Sequence, residues 1–137
     1  MRGDADARIC GLEGRFSTRL RYIKDIVGLA PGASDFSALS MLITQHGAYF
    51  LADTHVRSNP TASEIADMTI GIAEHVRRFG LTPKVALLSH SNFGTLNVPS
   101  ALKMREALAI LRQRAPALEV DGEMHGDAAL DTEVRRA

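Results

Sequence analysis

Along the chain, stretches with an apolar residue every three to four positions alternate with short apolar or two-residue-period runs, and glycine and proline separate them. Ala7 to Cys10 is an apolar run between Gly3-Asp4-Ala5-Asp6 and Gly11, which predicts a first short strand. Phe16, Leu20, Ile23 and Val27 then lie on one stripe, with Arg15, Arg19, Arg21 and Lys24 around it. A helix is expected from Phe16 to Val27, stopped by Gly28 and Pro31-Gly32. The apolar segment from Ser37 to Val56 is split by Thr44-Gln45-His46-Gly47. This breaks a helical pattern and predicts a hairpin of Ala38 to Ile43 against Ala48 to Thr54.

Thr61 and Glu64 stand three residues apart just before an apolar run, the pattern of a reciprocal capping box. The helix it opens carries Ile65, Met68, Ile72, Val76 and Phe79 toward a core and ends at Gly80. His75, between Glu74 and Arg77, reads as solvated. Val85 to Leu88 is β-favouring and predicts a central strand covered on both faces. Pro99 and Ser100 open another helix, with Met104, Ala107, Leu108 and Leu111 inward and Lys103, Arg105, Arg112 and Arg114 outward, until Pro116. Leu118 to Val120 reads as a short strand left through Asp121-Gly122-Glu123, and 127–137 as a last helix. The order strand, helix, hairpin, helix, strand, helix, strand, helix predicts an α/β three-layer sandwich, its mixed, largely parallel sheet flanked by helices.

Composition narrows the function. The 16 basic and 16 acidic side chains cancel, which removes the electrostatic argument for nucleic acid or an anionic membrane. Every apolar run is broken well before the roughly 18 residues a transmembrane helix needs, and the start lacks the apolar centre of a signal peptide. Cys10, alone, excludes an internal disulfide and fits a reducing cytoplasm. The histidines are scattered, with no metal-ligand spacing, so no metal site is expected. Residues 1–137 read as one unit without repeats or linkers.

The informative stretch is Lys84 to Gly94, KVALLSHSNFG. Ser89, His90, Ser91 and Asn92 follow a buried strand, and Phe93-Gly94 then turns the chain. In open α/β sheets, ligands bind at the carboxyl ends of strands, so Ser89, His90, Ser91, Asn92 and Gly94 are the candidate ligand-lining residues. The same residue types also build ordinary turns, and both readings stand at this point. If the last two strands are neighbours, Ser89 to Asn92 should lie near Asp121 and Glu123, and helix N-termini facing that edge would favour an anionic ligand such as a phosphate. Asp53, at the end of an apolar strand, is open to a turn role or to ligand contact.

GDADA at Gly3 to Ala7, FLADTHV in the hairpin, NPTASEIADM, KVALLSHSNFG and RAPALEVDGEMHGDAAL occur in this order across nearly the whole chain. Together they are similar to the phosphate acetyl/butyryltransferase family. Within that family they most resemble the carboxy-terminal phosphotransacetylase-like domain of bacterial NADP-dependent malic enzymes. The resemblance implies one lobe of a two-lobed phosphotransacetylase fold, an interior fragment whose family arginines for acyl phosphate lie outside it. No catalytic residue is then expected here and no acyl transfer by the chain alone. Two departures from the catalytic members point the same way: Ser89-His90-Ser91-Asn92-Phe93-Gly94 where they have a Ser-x-Ser-Thr run, and Leu12-Glu13-Gly14-Arg15-Phe16 where they have a His-Thr-Thr run.

The implied role is a regulatory, acetyl-CoA-sensing and oligomerising module of a cytoplasmic malic enzyme. Its partners would be a small-molecule acyl-CoA, the malic-enzyme module of the same parent and further copies of itself. NADP and a divalent metal would belong to the parent's other module. A catalytic phosphate acetyltransferase fragment and a purely structural dimerisation lobe are the alternatives.

Overall fold

A computed structural model describes residues 13–29, 31, 33, 35–53 and 56–136. The strand expected over Ala7 to Cys10 lies outside these residues. The chain divides into two compact units, residues 1–36 and 37–137.

The first unit contains helix α1, Phe16–Val27, with the bounds its periodicity predicts. Its stripe is half-buried at Leu20 and Ile23 and exposed at Phe16 and Val27. Arg19 donates to the Glu13 carbonyl and Lys24 lies 3.4 Å from Asp35, so both serve local structure.

In the second unit, β1 (Leu39–Thr44) and β2 (Gly47–Ala52) form the expected antiparallel hairpin, with Leu39 opposite Ala52 and Thr44 opposite Gly47. Thr44 closes the turn, its hydroxyl donating to the Gly47 carbonyl (3.1 Å) and accepting from the His46 amide (3.1 Å). Asp53 follows with a left-handed φ of 56°, a conformation that Asp tolerates better than most residues, and its amide donates to the Ala38 carbonyl (3.0 Å). That is turn geometry.

Helix α2, Ala62–Arg78, begins with the predicted capping box. The Glu64 carboxylate accepts from the Thr61 amide (2.7 Å) and the Glu64 amide donates to the Thr61 hydroxyl (3.3 Å). The Thr61 amide and then its hydroxyl, together with Arg57 at 2.6 Å, hold the Glu64 carboxyl below its ordinary value. Ile65, Met68 and Val76 are buried as expected, joined by Ala62, Ala66 and Ala73, and His75 is exposed. Phe79 departs from expectation. It is 61% exposed at the helix C-cap, its ring 5.6 Å from that of Phe50, because the last turn runs past the core.

Strand β3, Lys84–Leu88, is followed by helix α3, Pro99–Arg114, and strand β4, Glu119–Met124, which pairs parallel to β3. Pro99 fits the first helical position, where no amide partner is lost. Ala107, Leu108 and Leu111 join Leu87, Leu118 and the buried face of α2 in one core. Three expectations need correction. Among the described residues the strands form two separate two-stranded sheets, not one mixed sheet. Correspondingly, β3 is covered on one face: Leu87 is 5% exposed in the core, whereas its neighbour Leu88 is 45% exposed. Finally, β4 does not end at Val120 but continues through Asp121, Gly122 and Glu123.

The predicted last helix is two short ones, α4 (Gly126–Leu130) and α5 (Thr132–Arg136). Asp131 divides them in an extended conformation, its carboxylate accepting from the Glu133 amide (2.8 Å), since Asp favours a cap over a helix interior. No helix among the described residues is long and apolar enough to cross a membrane.

Candidate functional site

The parallel pairing of β3 with β4 brings the two strand exits together. The Ser89 amide donates to the Met124 carbonyl (2.9 Å), and the loop that follows folds over the end of β4. An irregularity in the ladder shapes this meeting. Leu87 faces Gly122 but Leu88 faces Met124, so Glu123 is an extra residue without a partner in the register. Bulges of this kind re-aim a side chain, and here the side chain is a carboxylate turned under the loop. Gly122 makes the close approach possible: a Cβ there would lie 2.7 Å from the Leu87 carbonyl oxygen.

Glu123 is 0% exposed and is the anchor of the loop. Its Oε1 accepts from the Ser91 hydroxyl (2.8 Å) and the Gly94 amide (2.9 Å), and its backbone carbonyl accepts from the Phe93 amide (2.8 Å). Arg105 Nε lies 3.6 Å from Oε2. Burial alone would raise the Glu123 pKa. The Ser91 hydroxyl, the Gly94 amide and the Arg105 charge outweigh it, so the carboxyl is held below its ordinary value of 4.5. Phe93, with φ 45°, takes a left-handed conformation under this double hold, and its side chain is left half exposed.

The candidate residues fall into two groups. Ser91 is 0% exposed; besides bonding Glu123, its Oγ accepts from the Leu96 amide (3.1 Å) and sits 3.3 Å from the Thr95 hydroxyl. Ser91 and the Gly94 amide therefore shape the loop. His90 is exposed, and Ser89 is half-buried with an enclosed Oγ that has no hydrogen-bond partner among the described residues. Such a hydroxyl calls for a water or a ligand atom. Asn92 is half-buried; its Oδ1 accepts from the His125 amide (2.6 Å), and its Nδ2 lies 3.3 Å from His125 Nδ1. This arrangement makes Nδ1 the acceptor and leaves the proton of the neutral imidazole on Nε2. The Asn92 amide retains a second N–H and further lone pairs for another partner.

Sequence reasoning placed Glu123 near Ser89 to Asn92, which is where it lies. Asp121 does not join it. It stands within β4 opposite Ala86, exposed, 3.6 Å from Arg112, because the strand runs four residues past Val120, to Met124. Arg105 was expected to point outward; instead its Nη2 donates to the Leu96 carbonyl (3.0 Å) and Asn97 Oδ1 (2.9 Å), tying α3 to the loop. Thr95 and His125 went unread in the sequence. A signal was available for Glu123, since a carboxylate beside a glycine inside a strand needs buried partners. An open depression of about 400 Å³ beside the loop is bounded by Phe93, Gly94, Arg105, Leu108, Arg112 and Asp121. No group of three or more His, Cys, Asp or Glu among the described residues is placed to hold a metal ion.

Comparison with known proteins follows the same lines. The family described as phosphate acetyl/butaryl transferase matches residues 1–137. Among curated relatives, the chain is 56% identical over 135 residues to an NAD-dependent malic enzyme of Rhizobium meliloti and 49% identical over 134 residues to an NADP-dependent malic enzyme of Escherichia coli. Each match covers 98% of this chain and 18% of the relative. Among solved structures, a phosphotransacetylase from Streptococcus pyogenes superposes with a TM-score of 0.70 at 34% identity, covering 77% of this chain and 33% of that one. The fold is thus α/β and phosphotransacetylase-like, and the chain spans about a fifth of the malic enzymes it matches.

Proposed function

The chain belongs to the phosphate acetyl/butaryl transferase family, and from that premise we propose that it is the transferase-like lobe of a cytoplasmic malic enzyme, sensing acetyl-CoA for the oxidative module rather than transferring acyl groups. The observation that carries the malic-enzyme part of this reading is the difference in identity over nearly the whole chain: 56% and 49% to two malic enzymes, against 38% to a phosphate acetyltransferase of Paracoccus denitrificans. The loop supports binding over acyl transfer. Its Ser91 hydroxyl and Gly94 amide, two groups of the kinds that act as nucleophile or oxyanion donor, are both engaged by Glu123. Ser89, His90 and Asn92 remain for a ligand, with Ser91 and Gly94 holding the loop in shape.

The mechanism is linkage. Acetyl-CoA binds one arrangement of the longer protein better than another and biases the distant malate site by no more than that difference in affinity. The nicotinamide cofactor, NAD or NADP, and the divalent metal belong to the parent's other module.

The test is a titration of the longer malic enzyme with acetyl-CoA, following reduced cofactor formed from malate, beside direct binding to this chain. Malate oxidation should respond, and Asn92→Ala should weaken the response. An unresponsive enzyme together with no binding sinks the proposal. A second role, self-assembly, is favoured by the hairpin, where Met41, Leu42, Ile43 and Leu51 are all exposed, Ile43 by 74%. Sedimentation of the chain across a dilution series bears on it, and a monomer at every concentration would remove that role.

A further inference from the structure

We propose that His125 is the positioning residue for Asn92: as a neutral imidazole it fixes the carboxamide left for the ligand, and a proton on the ring releases that carboxamide, so the loop at the end of β3 binds in a pH-dependent way. This rests on the acetyl-CoA reading above for the identity of the ligand, not for the hold itself.

The backbone of Asn92 is already tied on both sides. Its amide donates to the Thr95 hydroxyl (3.1 Å) and its carbonyl accepts from the Thr95 amide (3.1 Å), so the carboxamide is the part left to turn. His125 grips it at both ends. The His125 backbone amide can only donate, so the Asn92 atom 2.6 Å from it is Oδ1, and Nδ2 then faces Nδ1 of the ring at 3.3 Å. Nδ2 carries only hydrogens, which makes Nδ1 the acceptor. A ring turned over would set a C–H against those hydrogens. The imidazole is available for this duty: His125 is the N-cap residue of α4, yet its side chain makes no capping bond there.

A proton on Nδ1 removes the acceptor and sets two donors face to face. Turning the carboxamide over does not help, because its NH2 group would then meet the His125 backbone amide at 2.6 Å. One bond is lost in either orientation, and Asn92 no longer presents its spare N–H and lone pairs in a fixed direction. The charged groups around the ring are engaged elsewhere. On β4 the Glu123 carboxylate is turned to Ser91, Gly94 and Arg105. On α4 Asp127 accepts from the Ala128 amide (2.7 Å), and Arg135 of α5 donates to the Ala128 and Ala129 carbonyls (2.8 and 2.9 Å). On the loop itself His90 is exposed. Among the described residues none of these forms an ion pair with the imidazole. Imidazole is the side chain that ordinarily changes charge between about pH 5 and 8.

The experiment is an NMR titration of the nitrogen-labelled 137-residue chain between about pH 7.5 and 5.5, with acetyl-CoA binding measured by calorimetry at both ends in wild type and His125→Gln. Glutamine keeps the backbone amide and supplies an uncharged acceptor. The Glu123 carboxyl, held below its ordinary value of 4.5, stays charged throughout, so the anchor of the loop is not what titrates. At the upper end the ring nitrogens should report Nδ1 as acceptor with the proton on Nε2, and in acid the Asn92 side-chain amide should shift together with the His125 ring. The ratio of wild-type to variant affinity should fall about fivefold from the upper end to the lower, the size of one neutral hydrogen bond. Taking the ratio cancels the titration of His90 and of the ligand's own phosphates. A neutral ring protonated on Nδ1, an Asn92 amide that ignores the ring's titration, or an affinity ratio independent of pH each overturns the inference and leaves the acetyl-CoA reading intact. Acetyl-CoA that binds at neither pH overturns that reading instead, and the ring and amide signals then decide the inference.

Discussion

Replacing Glu123 by glutamine keeps the shape of the side chain and removes its charge, which tests whether a buried carboxylate holds the loop. The wild-type group makes two charge-assisted hydrogen bonds, from Ser91 at 2.8 Å and Gly94 at 2.9 Å, and lies 3.6 Å from Arg105. Bonds to a charged acceptor contribute about 1.5–3 kcal/mol each and neutral ones about 1. Losing the charge should therefore cost about 1–3 kcal/mol at neutral pH. Glu123→Ala should cost more, about 3–5 kcal/mol, because it leaves the Ser91 hydroxyl and the Gly94 amide without their acceptor and Arg105 without its counter-ion. Urea unfolding followed by circular dichroism measures both, as a lower midpoint at unchanged slope. The pH dependence gives a second check. The folded-state pKa of Glu123 lies below its ordinary value of 4.5, so the carboxylate's contribution is complete above that value and is lost as pH falls through the folded-state pKa. The gap between wild type and Glu123→Gln should then close in acid. A glutamine variant within about 0.5 kcal/mol of wild type at neutral pH, or a gap that persists unchanged into strong acid, would refute the reasoning.

Other substitutions probe separate parts of the fold. Gly122→Ala places a Cβ 2.7 Å from the Leu87 carbonyl oxygen and 3.0 Å from Leu87 Cβ, at a φ of +139° that side chains rarely adopt. Overpacking and backbone strain together should cost at least about 3 kcal/mol, read as a lower melting temperature and lost soluble yield. Leu111→Ala, at a fully buried position shared by α2, α3 and the β3–β4 pair, should cost about 2–5 kcal/mol in urea unfolding. Thr61→Ala breaks the capping box and should cost about 0.5–2 kcal/mol; a fully stable variant would mean that packing alone sets the start of α2.

Patterns carried by near neighbours in the chain were legible from the sequence. The capping box joins residues three apart, the stripes of α2 and α3 repeat every three to four, and the turn of the hairpin is closed within Thr44 to Gly47. For such features the sequence is close to a full statement of the physics, because the interacting groups are placed by one local geometry. The likeness in ordered segments also carried the family, which no single motif would have done.

The division of labour inside the loop was not legible. Whether Ser91 faces a ligand or a buried carboxylate depends on a partner 32 positions away, and the fate of the Gly94 amide on one 29 positions away. Asp121 and Glu123 are two residues apart and chemically alike, yet one is exposed beside Arg112 and the other buried beneath the loop. A single irregularity in the β3–β4 ladder separates them. The sequence by itself determined helices α1 to α3, the hairpin and the polar loop at the end of β3. Only the tertiary structure decided which polar groups of that loop are spent on the fold, because strand pairing, not local propensity, chooses the neighbours of a buried charge.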